Sequence, residues 1–528
     1  MKKRNYLKMT GAFLTLLICI LLNGVQVTKA AAITQATPYT IGTNMTGALA
    51  EGGDDQQYYM FTLQSSGAIH LTGSAYMNKN YVYIYDESAL ELWSKTCYWN
   101  STSEVISYDE TIYLTAGTYY FCIVRGRGYG NYNFNISFES SNETFMEKNG
   151  GSNNSLNEAS TVNVQGTTYN GQIAINDEKD FYKFDLSNSG KVYLNATFQN
   201  MRYVSWKLYD QDGSELVSKD SYWNDTTRNI VIDTDLYLNS GTYYLVMSRY
   251  NSYGKYSFSL TFTSANETYS ESAGGSNNGV ETASQLTLSK NYNGMLALND
   301  EQDFYKFTIN SSQTLVIDAD LYMRSAVLKL FDVQGNEVWS ETAWWNDITQ
   351  TINYERKTVL NKGTYYLAVV RYDSNYCGNY SLKVSPLTKD NCSHEEYDDQ
   401  WVDATYFSKG YTKHTCKDCG YTYKDNYQPV KKLSQEYLYS YCSSGKGSLT
   451  VYWDTQSDAS GYQIRLCRGK NFGSGVITKT VNGSSKSSYT IKKLSRNKKY
   501  YVQIRSYKKS GKKTVYGKWS EKRVYRTK

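Results

Sequence analysis

The chain of 528 residues contains one pattern three times, and this repetition limits what it can fold into. The string Gly-Thr-Tyr-Tyr begins at three glycines: Gly117, Gly241 and Gly363. An arginine follows eight residues after each glycine: Arg125, Arg249 and Arg371. An aromatic-Trp-Asn triplet precedes each copy, with these tryptophans: Trp99, Trp223 and Trp345. The period of about 123 residues is the length of a whole domain. Three linked copies favour multivalent binding over catalysis, because linked weak binders gain effective concentration.

The composition predicts an all-β protein. The chain holds 54 tyrosines and only 3 prolines, and its ordered stretches are rich in Tyr, Thr, Val and Ile. These residues favour strands, and the Gly, Asn and Ser between them favour turns. No long stretch shows helical periodicity beyond the apolar run at the N-terminus. Aligning the copies predicts three tandem β-sandwich repeats at 34–139, 160–263 and 284–388.

Motifs within the repeats point to one family. Asp-x-x-Asp-Phe-Tyr-x-Phe begins at Asp177 and Asp300, and Leu-Tyr-Asp-x-x-Gly or its Phe variant follows at Leu208 and Leu330. Together with Gly-Thr-Tyr-Tyr-Leu, these strings resemble the bacterial pre-peptidase C-terminal domain in order and spacing. The resemblance implies jelly-roll-like β-sandwiches of a kind attached to secreted enzymes and surface proteins. Some family members bind calcium, and some bind collagen or polysaccharide. No protease domain accompanies the repeats here.

The paired turn aspartates and the linkers before them are candidate calcium ligands. Calcium takes six to eight oxygen ligands from carboxylates, amides and carbonyls. On the family resemblance, two sites are expected, with these ligands: Glu147, Asn153, Asn154, Asp177 and Asp180; and Glu271, Asn277, Asn278, Asp300 and Asp303. The first repeat lacks the linker and has Gln57 where the others have aspartate, so we expect no site there. The alternative is a Gly/Asn/Ser linker followed by ordinary turn aspartates.

The recurring tryptophans and arginines are candidate ligand contacts: Trp99, Trp223, Trp345, Arg125, Arg249 and Arg371. Exposed Trp and Tyr stack on sugar faces, and Arg bonds hydroxyls or carboxylates. The favoured alternative is structural. In that case each Trp packs at the sandwich edge and each Arg pairs with a carboxylate of its own repeat.

The character of the sequence changes at 390–430, where two of the three histidines lie among cysteines. Thiolate and imidazole ligands at this spacing suit tetrahedral Zn²⁺, and Cys-x-x-Cys-Gly is typical of a zinc knuckle. The favoured ligands are Cys392, His394, Cys416 and Cys419, with His414 as a spare fifth candidate. The segment resembles short Cys-His and Cys-x-x-Cys-Gly elements between domains of secreted bacterial surface proteins. The alternative is a pair of incidental disulfides. We see no arrangement here for a catalytic zinc with an open position.

Residues 433–528 resemble a fibronectin type III domain. Trp453 ends a strand-like Leu-Thr-Val-Tyr-Trp run, and a second strand pattern begins at Gly461. Leu494 and Tyr500 have the spacing of the leucine and the tyrosine corner that precede a long alternating strand. The resemblance implies an immunoglobulin-like sandwich that serves as a spacer or interaction module.

The N-terminal segment, the charge distribution and the cysteines indicate the compartment in which the protein is found. Residues 1–30 combine a basic start, an apolar run and small residues, which predicts a signal peptide cleaved after Ala30 or Ala32; a retained signal anchor is the alternative. Residues 431–528 hold 23 Lys and Arg against 4 Asp and Glu, whereas 31–430 carry a net charge of −18. The other cysteines do not recur between repeats, so no disulfide framework is expected, although Cys97 and Cys122 are a candidate pair.

These observations favour a secreted or cell-surface, non-enzymatic and monomeric protein that binds carbohydrate or matrix polymer. We expect the basic C-terminal domain to bind anionic cell-wall polymer. No nucleic-acid partner and no transmembrane segment in the mature chain are expected. An accessory or hydrolytic component of an extracellular enzyme system is the alternative, and a structural spacer is another. No catalytic motif is present, although a carboxylate pair among the repeat aspartates stays open as a catalytic site.

Overall fold

The computed structural model describes residues 33–272 and 274–528. The predicted signal peptide at 1–30 lies outside the described residues. The chain divides into two compact units, of which one ends at Pro386 and the other runs from Leu387 to Lys528. The predicted all-β fold class is confirmed, since the described elements are strands and one 3₁₀ turn at Leu156–Glu158.

The same nine-strand arrangement occurs three times in the first unit. The strands of the first repeat are β1 (Thr37–Pro38), β2 (Asn44–Leu49), β3 (Gln56–Leu63), β4 (Gly67–Ala75), β5 (Lys79–Asp86), β6 (Glu91–Tyr98), β7 (Ile106–Leu114), β8 (Gly117–Arg127) and β9 (Gly130–Ser140). Those of the second repeat are β10 (Ser160–Thr161), β11 (Tyr169–Ile173), β12 (Lys179–Leu186), β13 (Gly190–Gln199), β14 (Tyr203–Asp210), β15 (Glu215–Tyr222), β16 (Asn229–Leu238), β17 (Gly241–Arg249) and β18 (Gly254–Ser264). Those of the third repeat are β19 (Ser284–Gln285), β20 (Asn291–Leu296), β21 (Gln302–Ile309), β22 (Gln313–Leu321), β23 (Ser325–Asp332), β24 (Glu337–Trp344), β25 (Ile352–Leu360), β26 (Gly363–Arg371) and β27 (Gly378–Pro386).

Each repeat pairs a five-stranded sheet with a four-stranded sheet. In the second repeat the strand orders are β10-β12-β17-β14-β15 and β11-β18-β13-β16, and the other two repeats follow the same order. The first strand pairs in parallel and the rest of each five-stranded sheet is antiparallel. Buried residues alternate along the strands, as in β13, so the two sheets face one another across a core.

The Gly-Thr-Tyr-Tyr string recurs because its first tyrosine anchors this core. The Tyr119 hydroxyl donates to the Thr115 carbonyl at 2.8 Å, and the Tyr243 hydroxyl donates to the Asn239 carbonyl at 2.8 Å. In the third repeat the Tyr365 hydroxyl donates to the Asn361 carbonyl at 3.0 Å. The ring is buried while the hydroxyl closes the turn before the strand, so one residue satisfies both packing and hydrogen bonding.

The two cysteines of the first repeat are not joined by a disulfide. Cys97 lies in the core between the sheets, whereas Cys122 packs on the outer side of the five-stranded sheet with Ile33 and Tyr120. Because the two thiols lie on opposite faces of one sheet, they cannot form a disulfide without rebuilding it. Neither cysteine forms a disulfide in the structure.

The second unit contains a small sheet and a sandwich. The small sheet has the order β28 (Tyr397–Val402), β29 (Gly410–Cys416) and β30 (Thr422–Gln428). The sandwich strands are β31 (Leu438–Gly445), β32 (Ser448–Trp453), β33 (Gly461–Cys467), β34 (Ile477–Asn482), β35 (Ser488–Ile491), β36 (Lys499–Ser510), β37 (Lys513–Tyr516) and β38 (Arg523–Arg526). Its core contains Trp453 and Tyr462, and the Tyr500 hydroxyl accepts the Ser495 N–H at 3.0 Å. Among the described residues, no helix is long and apolar enough to cross a membrane.

Candidate metal centres

Two acidic clusters lie at the boundaries between repeats. Glu147, Asp177 and Asp180 bring carboxylate oxygens within 4.8 Å of one another, and all three side chains are buried. Glu271, Asp300 and Asp303 form the same buried cluster one repeat later. We name these the first and second junction sites. The structure therefore brings together the carboxylates expected from sequence, although the glutamate of each site precedes the two aspartates by about 30 residues.

Two consecutive glycines in each linker let the chain turn tightly around the site. Gly150 and Gly151 have φ of 95° and 94°, in the left-handed region that favours glycine. A Cβ atom at Gly151 would lie 2.7 Å from Asp177 Oδ1 and from the Asn154 amide nitrogen. At Gly275 the corresponding atom would lie 2.5 Å from Asp300 Oδ1. Glycine is required at Gly151 and Gly275 because the backbone there approaches the acidic oxygens too closely for any side chain.

The linker asparagines lie beside the carboxylates of the sites. The Asn154 amide nitrogen donates to the Gly150 carbonyl at 2.8 Å, and the Asn154 Oδ1 atom is buried without a donor. Asn278 makes the same bond to Gly274 in the second junction site. Asn153 and Asn277 are buried beside them, and each accepts the N–H of the phenylalanine after the second aspartate through its backbone carbonyl, at 2.8 Å. Each site thus combines carboxylate and amide oxygens.

Most of these oxygens have no hydrogen-bond donor. In the first junction site the unpartnered buried oxygens are Glu147 Oε2, Asn153 Oδ1, Asn154 Oδ1, both Asp177 oxygens and Asp180 Oδ1. In the second they are Glu271 Oε2, Asn277 Oδ1, Asn278 Oδ1, Asp300 Oδ1 and Asp303 Oδ1. Unpartnered buried oxygens are costly, and carboxylates more so. Three clustered carboxylates with neighbouring amide oxygens supply most of the six to eight oxygen ligands that Ca²⁺ takes, so the residues fit this ion.

Burial and mutual repulsion raise the pKa values of the site carboxyls. Desolvation is the main cause for Asp180 and Asp303, whose pKa values rise well above the usual range, and neighbouring carboxylates add to it. Burial raises the pKa of Glu271 to about 11, and the pKa of Glu147 rises for the same reason. A divalent cation would remove this penalty, because it favours the ionised form of every ligand.

A tyrosine pair holds the second aspartate of each site. The Tyr256 hydroxyl donates to Asp180 Oδ2 and lies 2.6 Å from the Tyr182 hydroxyl. In the first repeat the equivalent pair is Tyr59 and Tyr132, but Tyr132 donates to the amide oxygen of Gln57 instead. The first repeat therefore keeps the tyrosine pair and has a neutral amide in place of the charged aspartate.

Both sites are joined to the preceding repeat. At the first, the Asn176 amide donates to Thr115 Oγ1 at 2.9 Å and to the Tyr119 hydroxyl at 3.0 Å, next to Asp177. At the second, the Asn239 amide donates to Asp300 Oδ2 at 3.3 Å, and the Ser240 hydroxyl donates to the Glu271 carbonyl at 2.7 Å. The sites therefore belong to the junctions between repeats rather than to single repeats. The first repeat has no predecessor among the three.

Sequence reasoning missed one acidic residue at each junction. Glu143 and Glu267 precede the linker glutamates by four residues, and burial raises the pKa of each to about 7. Glu143 Oε2 is buried without a partner. The available signal was the recurrence of Asn-Glu-Thr at 142–144 and 266–268. Each junction thus gathers four carboxyls.

The three arginines lie in different settings. Arg249 donates to the backbone carbonyls of Ile175 at 3.0 Å and Asp177 at 3.2 Å, and Arg371 donates to the Ala297 carbonyl at 2.8 Å. These two therefore brace the loops that carry the site aspartates. Arg125 instead pairs with Asp55 and stacks over the Tyr129 ring at 4.6 Å.

In all three repeats the second aromatic residue of the triplet, a tryptophan, is less exposed than the aromatic residue before it. Trp223 and Trp345 are half-buried, and Trp99 is 40% exposed. The preceding residues, Tyr98, Tyr222 and Trp344, are 67%, 68% and 60% exposed. Each ends the edge strand of its five-stranded sheet: β6, β15 and β24. The asparagines of the triplets accept backbone N–H bonds in the following turn, so their role there is to close the turn.

The cysteine and histidine cluster is assembled as expected in the second unit. Cys392, His394, Cys416 and Cys419 bring their ligand atoms within 4.8 Å of one another, which makes a possible metal site. Backbone N–H groups of Cys419 and Asp418 bond the Cys416 sulfur and lower the pKa of its thiol. His414 lies outside this cluster, with its two nitrogens 2.6 Å from Asp399 Oδ1 and 2.7 Å from Asp425 Oδ1.

Comparison with known proteins identifies the C-terminal module. The family model described as fibronectin type III domain matches residues 440–523. This part of the chain is a fibronectin type III domain. Collagenase ColA of Clostridium perfringens (strain 13 / Type A) is 25% identical over 241 residues, which cover 44% of this chain and 21% of that protein. The chain therefore spans about a fifth of the length of this curated relative.

Among solved structures, two small proteins are similar to part of the chain. The pre-peptidase C-terminal domain of a collagenase from Bacillus anthracis shares 26% identity, covers 20% of this chain and 94% of its own, and gives a TM-score of 0.17. A structure described as a myokine shares 16% identity, covers 17% of this chain and 90% of its own, and gives a TM-score of 0.15. The fibronectin type III and pre-peptidase C-terminal modules are non-catalytic.

Calcium titration of the full chain is expected to show two sites, one for each junction. The variant Asp180→Asn should lose one of them, because an amide cannot replace the central carboxylate, and Asp303→Asn should lose the other. Isothermal calorimetry measures the stoichiometry. Asp210→Asn is the matched control, since Asp210 caps a turn of the second repeat by accepting the Ser214 N–H at 2.8 Å and lies outside the site. Two ions bound to Asp180→Asn would contradict the assignment.

The carboxyls at the junctions also predict a pH dependence without calcium. Glu143 and Glu267 have folded pKa values of about 7 against a usual 4.5, so their stabilising protonated form is fully present below pH 4.5. That stability should be lost as the pH rises through 7. In chelator, the urea midpoint of the chain should fall over this range, and it should fall less in Glu143→Gln/Glu267→Gln. An identical pH profile for the two proteins would refute this account.

Proposed function

We propose that this protein is an extracellular, non-enzymatic binding protein whose repeats attach to a polysaccharide or matrix polymer. It serves as an accessory, substrate-targeting component of an extracellular enzyme system. The N-terminal sequence pattern of a signal peptide supports export. The non-catalytic nature of the matched modules supports binding over catalysis.

The observation that carries this proposal is an exposed aromatic residue at the same position of every repeat. Tyr98, Tyr222 and Trp344 end equivalent edge strands and contribute little to any core. Tyr222 packs edge-on against Tyr203 at 5.1 Å, and Trp344 packs edge-on against Tyr372 at 4.9 Å. Exposed, pre-oriented rings offer flat apolar faces at low entropic cost, which suits the faces of sugar rings or of a matrix polymer.

Three such positions on one chain favour a polymeric ligand. A single aromatic contact is weak, but three linked contacts raise avidity by about 10²–10⁴ when the ligand presents repeated units. A soluble small molecule would engage only one position at a time. The repetition of the domain therefore has a functional reason if the ligand is itself a repeating polymer.

The relatives support a matrix or wall polymer as the ligand. The curated relative is named a collagenase, and the solved domain comes from a collagenase. In this chain the corresponding modules occur as three tandem repeats without the rest of such an enzyme among the described residues 33–272 and 274–528. We infer that the repeats keep the attachment role of an accessory module.

Calcium ions at the two junction sites would hold the repeats in the orientation that this attachment requires. The ligands come from the linker and the following repeat, while hydrogen bonds accepted by Thr115 and Tyr119 and one donated by Asn239 tie each site to the preceding repeat. A bound ion thus stabilises the contact between neighbours as well as the loop itself. Neighbouring repeats whose relative orientation is already fixed lose less conformational entropy when several of them bind one polymer chain.

The basic C-terminal domain is the second attachment point in this proposal. Every salt bridge found among the described residues lies outside 431–528, so no ion pair with the described residues neutralises the 23 Lys and Arg of this domain. Such a domain attracts anionic polymers. We propose that it binds anionic cell-wall polymer and leaves the protein associated with the cell wall.

Removal of the exposed rings is expected to abolish polymer binding without unfolding the chain. The variant Tyr98→Ala/Tyr222→Ala/Trp344→Ala should sediment at least about tenfold less with insoluble polysaccharide or collagen fibrils than the wild type. The matched control is Tyr437→Ala, because Tyr437 is 62% exposed and lies in the second unit. Each single variant should keep part of the binding. Unchanged sedimentation of the triple variant would reject the proposal.

Attachment to cell walls is expected to depend steeply on salt. Sedimentation of the full chain with purified walls should weaken as the ionic strength rises, because lysines displace counterions from an anionic polymer. The variant Lys508→Gln/Lys509→Gln/Lys512→Gln/Lys513→Gln should bind less and show a shallower salt slope. Lys409→Gln/Lys413→Gln, outside the basic domain, is the control. Binding that is indifferent to salt would count against this role.

A further inference from the structure

We propose that Cys392, His394, Cys416 and Cys419 bind one structural Zn²⁺, and that this ion folds the small sheet of β28, β29 and β30. This inference is independent of what the repeats bind. It rests on the geometry of the cluster, on the different settings of the two histidines and on the lack of a core in residues 390–430.

The spacing of the sulfur atoms matches a tetrahedral zinc site. Cys392 Sγ and Cys416 Sγ lie 3.7 Å apart. Two sulfurs that are each about 2.3 Å from a zinc ion at the tetrahedral angle lie about 3.8 Å apart. All four ligand atoms lie within 4.8 Å of one another, as four ligands of one ion must. The cluster thus has the size of a zinc site before any rearrangement.

The local backbone forms the knuckle that such a site uses. The Gly420 N–H donates to the Cys416 carbonyl at 3.0 Å, and the Cys416 N–H donates to the Tyr421 carbonyl at 2.8 Å. Gly420 has a φ of 72°, in the left-handed region, so glycine is favoured at this turn. The turn brings Cys419 back toward Cys416 at the end of β29, and Cys392 and His394 approach from the segment before β28.

The structure distinguishes between the two candidate histidines. The His394 Nε2 atom is buried and has no hydrogen-bond partner. The His414 ring is held between Asp399 on β28 and Asp425 on β30, and it stacks on Tyr423 with ring centroids 4.4 Å apart. His414 therefore joins the three strands through its two nitrogens, and His394 is the nitrogen ligand.

Residues 390–430 need such an ion because they have almost no apolar core. Only Gly410, His414 and Cys416 are buried in this segment. A piece of about 40 residues without a core does not fold by hydrophobic burial alone, and a structural metal is one of the common solutions. Burial of unpaired thiols and an imidazole nitrogen contributes little to stability, whereas ligation by zinc supplies folding free energy directly.

The chemistry of the ligands selects the metal and its role. Three thiolates and one imidazole are soft ligands that suit zinc and do not suit calcium or magnesium. Four protein ligands complete a tetrahedron and leave no position for water or substrate, so the ion is structural and not catalytic. The chain thus separates two metal chemistries, with oxygen ligands at the junctions of the repeats and sulfur and nitrogen ligands in the second unit.

Elemental analysis of the purified full chain should find one zinc per molecule. Replacement by Co²⁺ should give the intense visible absorption of a tetrahedral thiolate site. The variants Cys416→Ser and His394→Ala should lose the ion, whereas His394→Cys should retain it, because a fourth thiolate completes the tetrahedron. Cys442→Ser in the sandwich and His414→Asn are matched controls that should retain one equivalent.

Proteolysis tests the folding role in the same proteins. In the wild type, a strong zinc chelator should make the chain susceptible to trypsin cleavage after Lys409 and Lys413. The control Cys442→Ser should likewise be cleaved there only when the chelator is present. His394→Cys should resist trypsin with zinc and lose that resistance with chelator. Absence of zinc from the wild type, retention of one equivalent by Cys416→Ser, loss of zinc from His414→Asn, or protection that survives zinc removal would each overturn the proposal.

Discussion

The arrangement of the repeats depends on the burial of like-charged carboxyls at two junctions. Each junction gathers four acidic side chains whose oxygens largely lack donors, in a setting where burial and mutual repulsion raise their pKa values. The free energy of burying such groups as ions is unfavourable by several kcal/mol each unless a cation or protons compensate. The close glycines, the tyrosine pairs and the arginine braces all hold these carboxyls in place.

The three repeats show how one scaffold carries different chemistry. The tyrosine pair, the sheet order and the turn anchored by the Gly-Thr-Tyr-Tyr tyrosine are present in every copy. The first repeat lacks the acidic linker and has Gln57 in place of the second aspartate, and the fold accommodates this amide through the same tyrosine. A junction site needs a neighbour on its N-terminal side, which the first of the three repeats does not have. The number of sites therefore follows the number of junctions.

The two compact units solve the problem of stability in different ways. Each repeat has a core of more than twenty buried apolar residues, so an ion at a junction is not needed to create the fold of a repeat. The small sheet before the sandwich has no comparable core and depends on its cysteines and histidines. The fibronectin type III domain has its own core around Trp453 and carries an excess of positive charge that its few acids do not neutralise.

Local sequence determined the classes of structure and the residue types of the sites. Strand propensity, turn residues and the repeated string were sufficient for the all-β class, because they act over a few neighbours. The family resemblance named Glu147, Asp177 and Asp180 as partners, and spacing grouped Cys416 with Cys419. Glu143 was missed because its role depends on burial, which no local pattern states.

Only the tertiary structure decided where these residues face. It placed Arg249 and Arg371 against loop carbonyls, and it put Cys97 and Cys122 on opposite faces of one sheet. It left Tyr98, Tyr222 and Trp344 exposed, whereas Trp223 and Trp345, which follow the last two, are half-buried. It also placed His414 between two aspartates and left His394 for the cysteines. These outcomes depend on which face of a strand is covered and on contacts between residues far apart in the chain, and sequence periodicity alone does not contain that information.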